Sequence, residues 1–227
     1  MAGLLLAIAT AVGCGGKAIH LGDGRASADG ATCPHASVNA NQILWIGDSW
    51  VLLPGDQHTG VRESARAAGA IGPNDDYVIA AAPGAGMAMV AGQYAAQEAG
   101  ATKVKVLIMD GGTWDTLTAG GSATSVATAA SSFDQLLATV AADATVEHII
   151  YFLMPELPSI PGVAALRPLL QPACAQSAVP CHFLDLQPIW ASHPEYTGSD
   201  GLFPSDAGGA AVADAIWAIM QQSCIAQ

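Results

Sequence analysis

The chain has 227 residues, of which 52% are hydrophobic, so it can bury the core of about one domain and is neither disordered nor a repeat array. Seven basic and nineteen acidic residues give a formal net charge of -12, which repels nucleic acid phosphates and anionic lipid head groups. Composition therefore argues against nucleic acid binding.

The first fourteen residues have the features of a targeting segment. Residues 4–12 are apolar, too few to span a bilayer, and are followed by Gly13 and Cys14. The run Ala11-Val12-Gly13-Cys14 resembles the cleavage box of bacterial lipoproteins, which implies that Cys14 becomes the lipidated first residue of the mature protein. A plain signal peptide is the alternative. Either way, we expect export to the cell envelope or the medium.

Residues 15–40 are rich in Gly, Asp, Ser and Asn, a composition that indicates a flexible tether. A buried N-terminal helix would not need such a segment. The predicted organisation is thus a signal or lipoprotein peptide at residues 1–14, a tether at 15–40 and one folded domain at 41–227.

Apolar runs alternate with helical patterns along this domain. Strands are predicted where Val, Ile, Leu and aromatic residues cluster, at 42–46, 77–82, 104–109, 148–153 and 182–186. Helices are predicted between and after them, at 59–68, 87–98, 122–141, 163–170 and 205–221. Buried strands alternating with helices predict an α/β fold, a three-layer α/β/α sandwich around a parallel sheet of about five strands. Ligands bind beyond the carboxyl ends of such strands.

Four polar or glycine-rich segments follow strands or precede the last helix, and they converge on that rim. They contain Gly47-Asp48-Ser49, Gly84 with Gly86, Gly112-Thr113-Trp114-Asp115, and Asp200 to Ser205. Together they resemble the blocks of the SGNH, or GDSL, hydrolase family over residues 41–222. The resemblance implies a flavodoxin-like SGNH fold, Ser49 as nucleophile, oxyanion donation by the N–H groups of Ser49 and Gly86, and a late Asp-x-x-His pair that begins at Asp200.

Two positions depart from the family pattern. Trp114 stands where the family has an asparagine that donates to the oxyanion; the indole has one N–H, and Thr113 is an alternative donor. Phe203 stands where the family has the histidine that deprotonates the serine, and phenylalanine transfers no proton. The resemblance therefore predicts an ester hydrolase scaffold, of the esterase, lipase or carbohydrate deacetylase type, with impaired activity.

Another histidine would have to replace the missing base. We name His193 as the candidate, because it lies in a loop shortly before Asp200, with His58 second. His20 and His35 fall in the tether, and His148 and His182 begin strands, where structural roles are expected. Pairing of Asp115 with Asp200 suits glycoside or peptide hydrolysis better than acyl transfer.

The second hypothesis is a non-catalytic envelope protein, in which Trp50, Trp114 and Phe203 line an aromatic cleft for a sugar or acyl ligand. In both hypotheses the partner is a small or carbohydrate ester, contact with membranes is limited to an N-terminal lipid, and the chain is a monomer. No cofactor is predicted, because Met89 stands at the third glycine of a dinucleotide fingerprint.

If Cys14 carries lipid, four cysteines remain, at Cys33, Cys174, Cys181 and Cys224. An even number in an exported chain favours disulfides, and of three connectivities we favour Cys174 with Cys181 and Cys33 with Cys224. A metal site is the weaker alternative, since neither CxxC nor HExxH occurs.

Overall fold

A parallel sheet of five strands organises the domain. The computed structural model describes residues 38–52 and 57–225. The strands lie in the order β2-β1-β3-β4-β5, and every neighbouring pair is parallel. Their bounds are β1 (Ile43–Ile46), β2 (Val78–Ile79), β3 (Val106–Met109), β4 (His148–Leu153) and β5 (Cys181–Asp185). All residues of β1 and β3 are buried, as expected for strands covered on both faces.

Eight α-helices and two short 3-10 helices accompany the sheet in the described residues. The helix α2 packs against α8, whereas α3, α5 and α6 pack in a row, and these two groups form the outer layers of the predicted α/β/α sandwich. The helices are α1 (Ser49–Leu52), α2 (Gln57–Ala67), α3 (Met87–Glu98), α4 (Thr113–Thr118), α5 (Ala123–Ala142), α6 (Val163–Ala175), α7 (Gln187–Trp190) and α8 (Asp206–Gln222). The 3-10 helices are Ala40–Gln42 and Pro194–Tyr196.

The strand order places the site. After β2 the chain crosses back over β1 to form β3 on its other side, so strand order reverses between β1 and β3. Ile46 pairs with Met109 at the carboxyl ends of these two strands, and the turns after them are therefore neighbours. Crevices at such switch points are the usual ligand sites of open parallel sheets.

Two predicted elements differ in length from those observed. The strand predicted over 77–82 is regular only at Val78–Ile79, although the N–H groups of Ala80 and Ala82 still donate to the Trp45 and Gly47 carbonyls. The helix predicted over 163–170 continues to Ala175 despite Pro168 and Pro172. Both prolines are exposed, while the opposite face of α6 is buried at Val163, Leu166, Leu170 and Cys174, so burial of that face offsets the missing N–H groups.

Cys174 at the end of α6 and Cys181 at the start of β5 form a disulfide with Cα atoms 5.3 Å apart. Cys224 is also disulfide-bonded. Its expected partner Cys33 lies outside the described residues, as do Cys14, the predicted signal segment and most of the predicted tether. Within residues 38–52 and 57–225, no helix combines the length and apolar character needed to cross a bilayer.

Candidate active site

The turn after β1 is held by side chains from two other elements. Gln93 of α3 accepts a hydrogen bond from the Gly47 N–H at 2.8 Å and donates one to the Gly47 carbonyl at 3.0 Å. Gly47 has φ of 145°, in the region that favours glycine, and a Cβ there would lie 1.8 Å from Oδ1 of Asp110. Only glycine fits between β1 and the end of β3 at this point.

Two buried carboxyl groups lie beneath this turn. Asp48 and Asp110 are 3% and 1% exposed, and Oδ1 of Asp110 accepts a hydrogen bond from the Asp48 N–H at 2.8 Å. Asp48 in turn accepts a hydrogen bond from the Trp50 N–H at 2.8 Å. Burial raises the pKa of Asp48, and burial together with the neighbouring Asp48 charge raises the pKa of Asp110 well above its usual range.

Ser49, the first residue of α1, carries the hydroxyl group that the resemblance assigns as nucleophile. The residue is 6% exposed, and its Oγ accepts a hydrogen bond from the Gly84 N–H at 3.3 Å. In the described part of the chain, no histidine, aspartate or glutamate side chain is hydrogen-bonded to Ser49. Among the described residues, Ser49 thus has an N–H donor directed at its oxygen and no hydrogen-bond acceptor for its proton.

Ser49 faces a narrow cleft with a volume of about 10 Å³, roughly the space of one water molecule. Its walls come from α1, α4, the loop after β4 and the loop before α8, and they are mainly apolar. The lining residues are Asp48, Ser49, Trp50, Thr113, Trp114, Leu117, Met154, Ile160, Leu202 and Phe203. Trp50, Trp114 and Phe203, the predicted aromatic residues, thus line the same cleft as Ser49. Most ligand pockets are larger, roughly 300–1,000 Å³.

Thr113 and Trp114 occupy different places in this cleft. Thr113 is 3% exposed, and its hydroxyl has no hydrogen-bond partner among the described residues. The Trp114 indole packs closely against Gly84. A Cβ on that glycine would lie 3.2 to 3.4 Å from the indole atoms Cε2, Cζ2 and Nε1. Of the two donors considered from sequence, Thr113 therefore has an unused hydroxyl group, and Trp114 forms a wall.

The glycine segment after β2 meets the Ser49 oxygen through Gly84. Sequence resemblance assigns the oxyanion N–H to Gly86, which begins α3 as its N-terminal cap, and this N–H has no hydrogen-bond partner in residues 38–52 and 57–225. Asp115 accepts a hydrogen bond from the Met87 N–H at 2.8 Å and lies against Gly86. Its carboxylate therefore caps α3, a structural role, and the hydrogen bonds of Asp115 do not link it to Asp200.

The loop before α8 is tied to itself and to its neighbours. Asp200 Oδ1 accepts hydrogen bonds from the N–H groups of Leu202 and Phe203, at 2.9 and 3.0 Å, and these bonds lower the pKa of Asp200. Trp50 Nε1 donates to the Leu202 carbonyl at 3.1 Å, and Ser159 Oγ donates to the Gly201 carbonyl. The aspartate assigned to orient a catalytic histidine instead shapes its own turn.

The candidate bases have other partners. Nδ1 of His193 lies 2.8 Å from Glu195, and the His193 ring stacks on Tyr196 with 4.3 Å between centroids. His193 is not among the residues that line the Ser49 cleft. His58 lies 3.4 Å from the Val51 carbonyl. The structure therefore does not bring His193 or His58 into hydrogen-bond contact with Ser49.

The other two described histidines lie near the amino ends of β4 and β5, whereas the Ser49 cleft lies beyond the carboxyl ends of the strands. His148 begins β4, and Nδ1 of its ring is 3.4 Å from Nε2 of His182 in β5. Burial lowers the pKa of both rings. His20 and His35 lie outside the described residues. Across the described ranges, no three His, Cys, Asp or Glu side chains are grouped so that they could hold a metal ion.

Two residues of the site were missed from the sequence. Asp110 follows a buried apolar run directly, at the carboxyl end of a predicted strand, and that position is a usable signal for a site residue. Gln93 gives no such signal, because a single glutamine in a helix is usually solvated. Its role emerges only when α3 packs beside β1.

Solved structures of esterases share this fold at low sequence identity. An acetyl esterase matches with a TM-score of 0.66 and 16% identity over 80% of this chain and 97% of its own. A family 3 carbohydrate esterase from Talaromyces cellulolyticus matches with a TM-score of 0.64 and 20% identity, over 80% of this chain and 97% of its own. A lipolytic protein assigned to the G-D-S-L family, from Desulfitobacterium hafniense, matches with a TM-score of 0.62 and 13% identity, over 78% of this chain and 98% of its own.

No family model and no curated protein matches the sequence itself. The class defined by the strand order is a flavodoxin-like α/β/α sandwich. Within it, the structural matches confirm the predicted SGNH/GDSL hydrolase fold, the fold of these esterases.

Proposed function

We propose that this chain binds the acyl end of a small ester, such as an acylated sugar, in the Ser49 cleft, and that it does not hydrolyse esters through a Ser-His-Asp triad. One observation carries the proposal. Phe203 lines the cleft that contains Ser49, and no histidine among the described residues is hydrogen-bonded to the serine. The names of two structural neighbours, acetyl esterase and carbohydrate esterase, support an acyl ester as the ligand class.

The missing base is a large chemical defect. A serine hydroxyl is a weak nucleophile unless a neighbouring group accepts its proton, and removal of such a base costs several orders of magnitude in rate. Asp200 does not fill this role, because its Oδ1 is bonded to the backbone of its own turn. The Ser49 proton therefore has no acceptor of suitable pKa in the described site.

The site nevertheless suits an ester carbonyl. The Gly84 N–H points at the Ser49 oxygen, and the Gly86 N–H and the Thr113 hydroxyl have no partner in the described residues. Donors of this kind bind a carbonyl oxygen in the ground state as well as an oxyanion. The apolar wall formed by Leu117, Met154 and Ile160 would accept the short acyl group beside it.

A second function, slow ester hydrolysis, is favoured by one specific contact. The Gly84 N–H donates to Oγ of Ser49, and a hydrogen bond to that oxygen stabilises it as negative charge develops. The two functions differ in whether Ser49 reacts with an acyl-type electrophile.

Labelling with a fluorophosphonate, followed by intact mass measurement, tests the proposal. We expect no labelling of the wild-type chain above that of Ser49→Ala over several hours. We expect Phe203→His to label at least about a hundredfold faster than the wild type, because an imidazole would then stand in the Ser49 cleft. His193→Ala is the matched control, and should leave the wild-type rate unchanged.

Two results would contradict the proposal. Stoichiometric labelling of the wild type that disappears in Ser49→Ala would show an activated serine and favour the esterase function. If His193→Ala also abolished that labelling, His193 would be the base. Circular dichroism of each variant, compared with the wild type, separates these results from loss of folding.

We also propose that the chain is exported and anchored through lipid on Cys14, with the folded domain acting as a monomer that binds no nucleic acid. The disulfide between Cys174 and Cys181 supports an oxidising compartment. Expression of the full chain in bacteria with radiolabelled palmitate tests this. We expect label in the wild type and none in Cys14→Ala. A cleaved, unlabelled and soluble wild-type product would support the plain signal peptide instead.

A further inference from the structure

The Asp48 and Asp110 pair serves neither of the proposed functions directly, yet it lies beneath the serine. Both carboxyl groups are almost fully buried, and the two residues are in contact, since Oδ1 of Asp110 accepts the Asp48 N–H at 2.8 Å. Two adjacent buried carboxylates would repel each other and have only acceptors, whereas a proton on one of them removes a charge and supplies a donor.

The contacts identify which carboxyl group carries the proton. Asp48 accepts the Trp50 N–H, a contact suited to the ionised form. Asp110 accepts the Asp48 N–H through Oδ1, while its Oδ2 is buried and has no hydrogen-bond partner among the described residues. A buried carboxylate oxygen without a donor is costly, whereas a protonated Oδ2 can donate to Asp48.

Within the described residues, the neighbouring charges that act on the pair are negative. Asp115 of α4 is the other acid that raises the pKa of Asp48. On β4, the Tyr151 hydroxyl donates to the Gly111 carbonyl at 2.7 Å and remains protonated, since burial raises its pKa further. The remaining polar groups at the turn, Gln93 of α3 and the Ser49 hydroxyl, are neutral.

We propose that Asp48 and Asp110 share one proton, and that this protonated pair is a positioning device that holds the Gly47-Asp48-Ser49 turn on the end of β3. The pair bonds the turn through the Asp48 N–H, and Oδ1 of Asp110 packs on Gly47. Loss of the proton would place two like charges in a buried site and separate the turn from β3. The inference concerns the turn and does not depend on whether Ser49 reacts.

The shared proton makes the stability of the folded chain depend on pH. A carboxyl group whose folded pKa is raised binds more protons in the folded than in the unfolded state, so stability falls as pH rises. The loss begins near the ordinary aspartate pKa, about 4, and continues until Asp110 loses its proton. Each pH unit in that window raises the equilibrium constant for unfolding by up to about tenfold.

Asp110→Asn is the decisive variant, because asparagine, like protonated aspartate, is neutral and has both an acceptor oxygen and a hydrogen-bond donor. Its Oδ1 still accepts the Asp48 N–H, and its Nδ2 donates to the Asp48 carboxylate at every pH. Measured by urea unfolding from pH 5 to pH 8, the ratio of wild-type to variant unfolding constants should rise with pH, by up to about tenfold per unit. Asp134→Asn, at an exposed position on α5, should leave the ratio flat.

Nuclear magnetic resonance gives a second readout that stability alone does not. In the wild type, the backbone amide signals of Asp48, Ser49 and Trp50 should shift together in one step, at a pH well above the ordinary aspartate range. In Asp110→Asn that step should be absent. A wild-type step near pH 4, or equal pH dependence of the two proteins, would overturn the proposal. The wild-type titration decides the matter even if Asp110→Asn fails to fold.

Discussion

The turn that carries Ser49 and the loop that carries Phe203 face the same cleft but are built differently. The Ser49 turn is bonded to β3 through Asp110, to α3 through Gln93 and to the loop after β2 through Gly84. The Phe203 loop is bonded to itself through Asp200, and the Phe203 side chain lines the cleft and packs against the core without any hydrogen bond. Exchange of Phe203 therefore removes apolar packing only, whereas the serine turn is hydrogen-bonded to three other segments.

The largest effect is expected at Gly47. In Gly47→Ala the new Cβ would lie 1.8 Å from Asp110 Oδ1 and 2.8 Å from Val51 Cγ2, at a φ that alanine rarely adopts. Because the neighbours are buried on both sides, we expect a loss of about 4 kcal/mol or more in the free energy of unfolding, measured by urea titration.

Gly92→Ala is the matched control for that measurement. Gly92 lies on the exposed face of α3, and a Cβ there meets nothing within 4 Å. Alanine should stabilise the helix by roughly 1 kcal/mol, since glycine is a poor helix former. Similar losses in both variants would contradict the packing of Gly47 between β1 and β3.

A smaller effect is expected at Gln93. Gln93→Leu removes both hydrogen bonds to Gly47, while the Gly47 carbonyl keeps its bond from the Ala82 N–H at 3.0 Å. The Gly47 N–H is left without its acceptor, so we expect a loss of roughly 2 to 3 kcal/mol. Gln97→Leu on the same helix, whose side chain makes no hydrogen bond in the described residues, should change stability by less than about 0.5 kcal/mol. Equal losses in the two variants would show that the two hydrogen bonds between Gln93 and Gly47 do not contribute to stability.

The same contrast explains what could be predicted from the sequence. The apolar runs predicted all five strands, and the helix bounds of α3 were predicted without error, because buried periodicity is local. The motif residues located Ser49 and Phe203 on one rim, and both line one cleft. The fold and the position of the site therefore follow from local sequence patterns.

Side-chain partnerships were harder to predict. Asp115 has the position of a catalytic or oxyanion residue, yet it caps α3 at Met87. His193 precedes Asp200 closely, yet it pairs with Glu195 and stacks on Tyr196. Direction of a side chain depends on φ, ψ and neighbours from distant segments, and spacing along the chain does not record it. The same holds for Gln93, which reaches Gly47 from another element.

The smallest effect is expected in the Phe203 loop itself. Asp200→Ala removes the acceptor of the Leu202 and Phe203 N–H groups, but those groups lie in an exposed turn where water can replace the carboxylate. We expect a lower stability at neutral pH than in the wild type, by less than the loss in Gln93→Leu. Because the folded pKa of Asp200 is lowered, the stability that it contributes is lost as pH falls through that pKa, so the two proteins should converge in acid. Asp200→Asn keeps an acceptor oxygen but does not titrate, so at neutral pH it should lie closer to the wild type than Asp200→Ala does, and it should lack the wild-type loss of stability in acid. If Asp200→Ala were as damaging as Gln93→Leu, the loop would be coupled to the core as tightly as the serine turn, and the contrast between the two segments would be wrong.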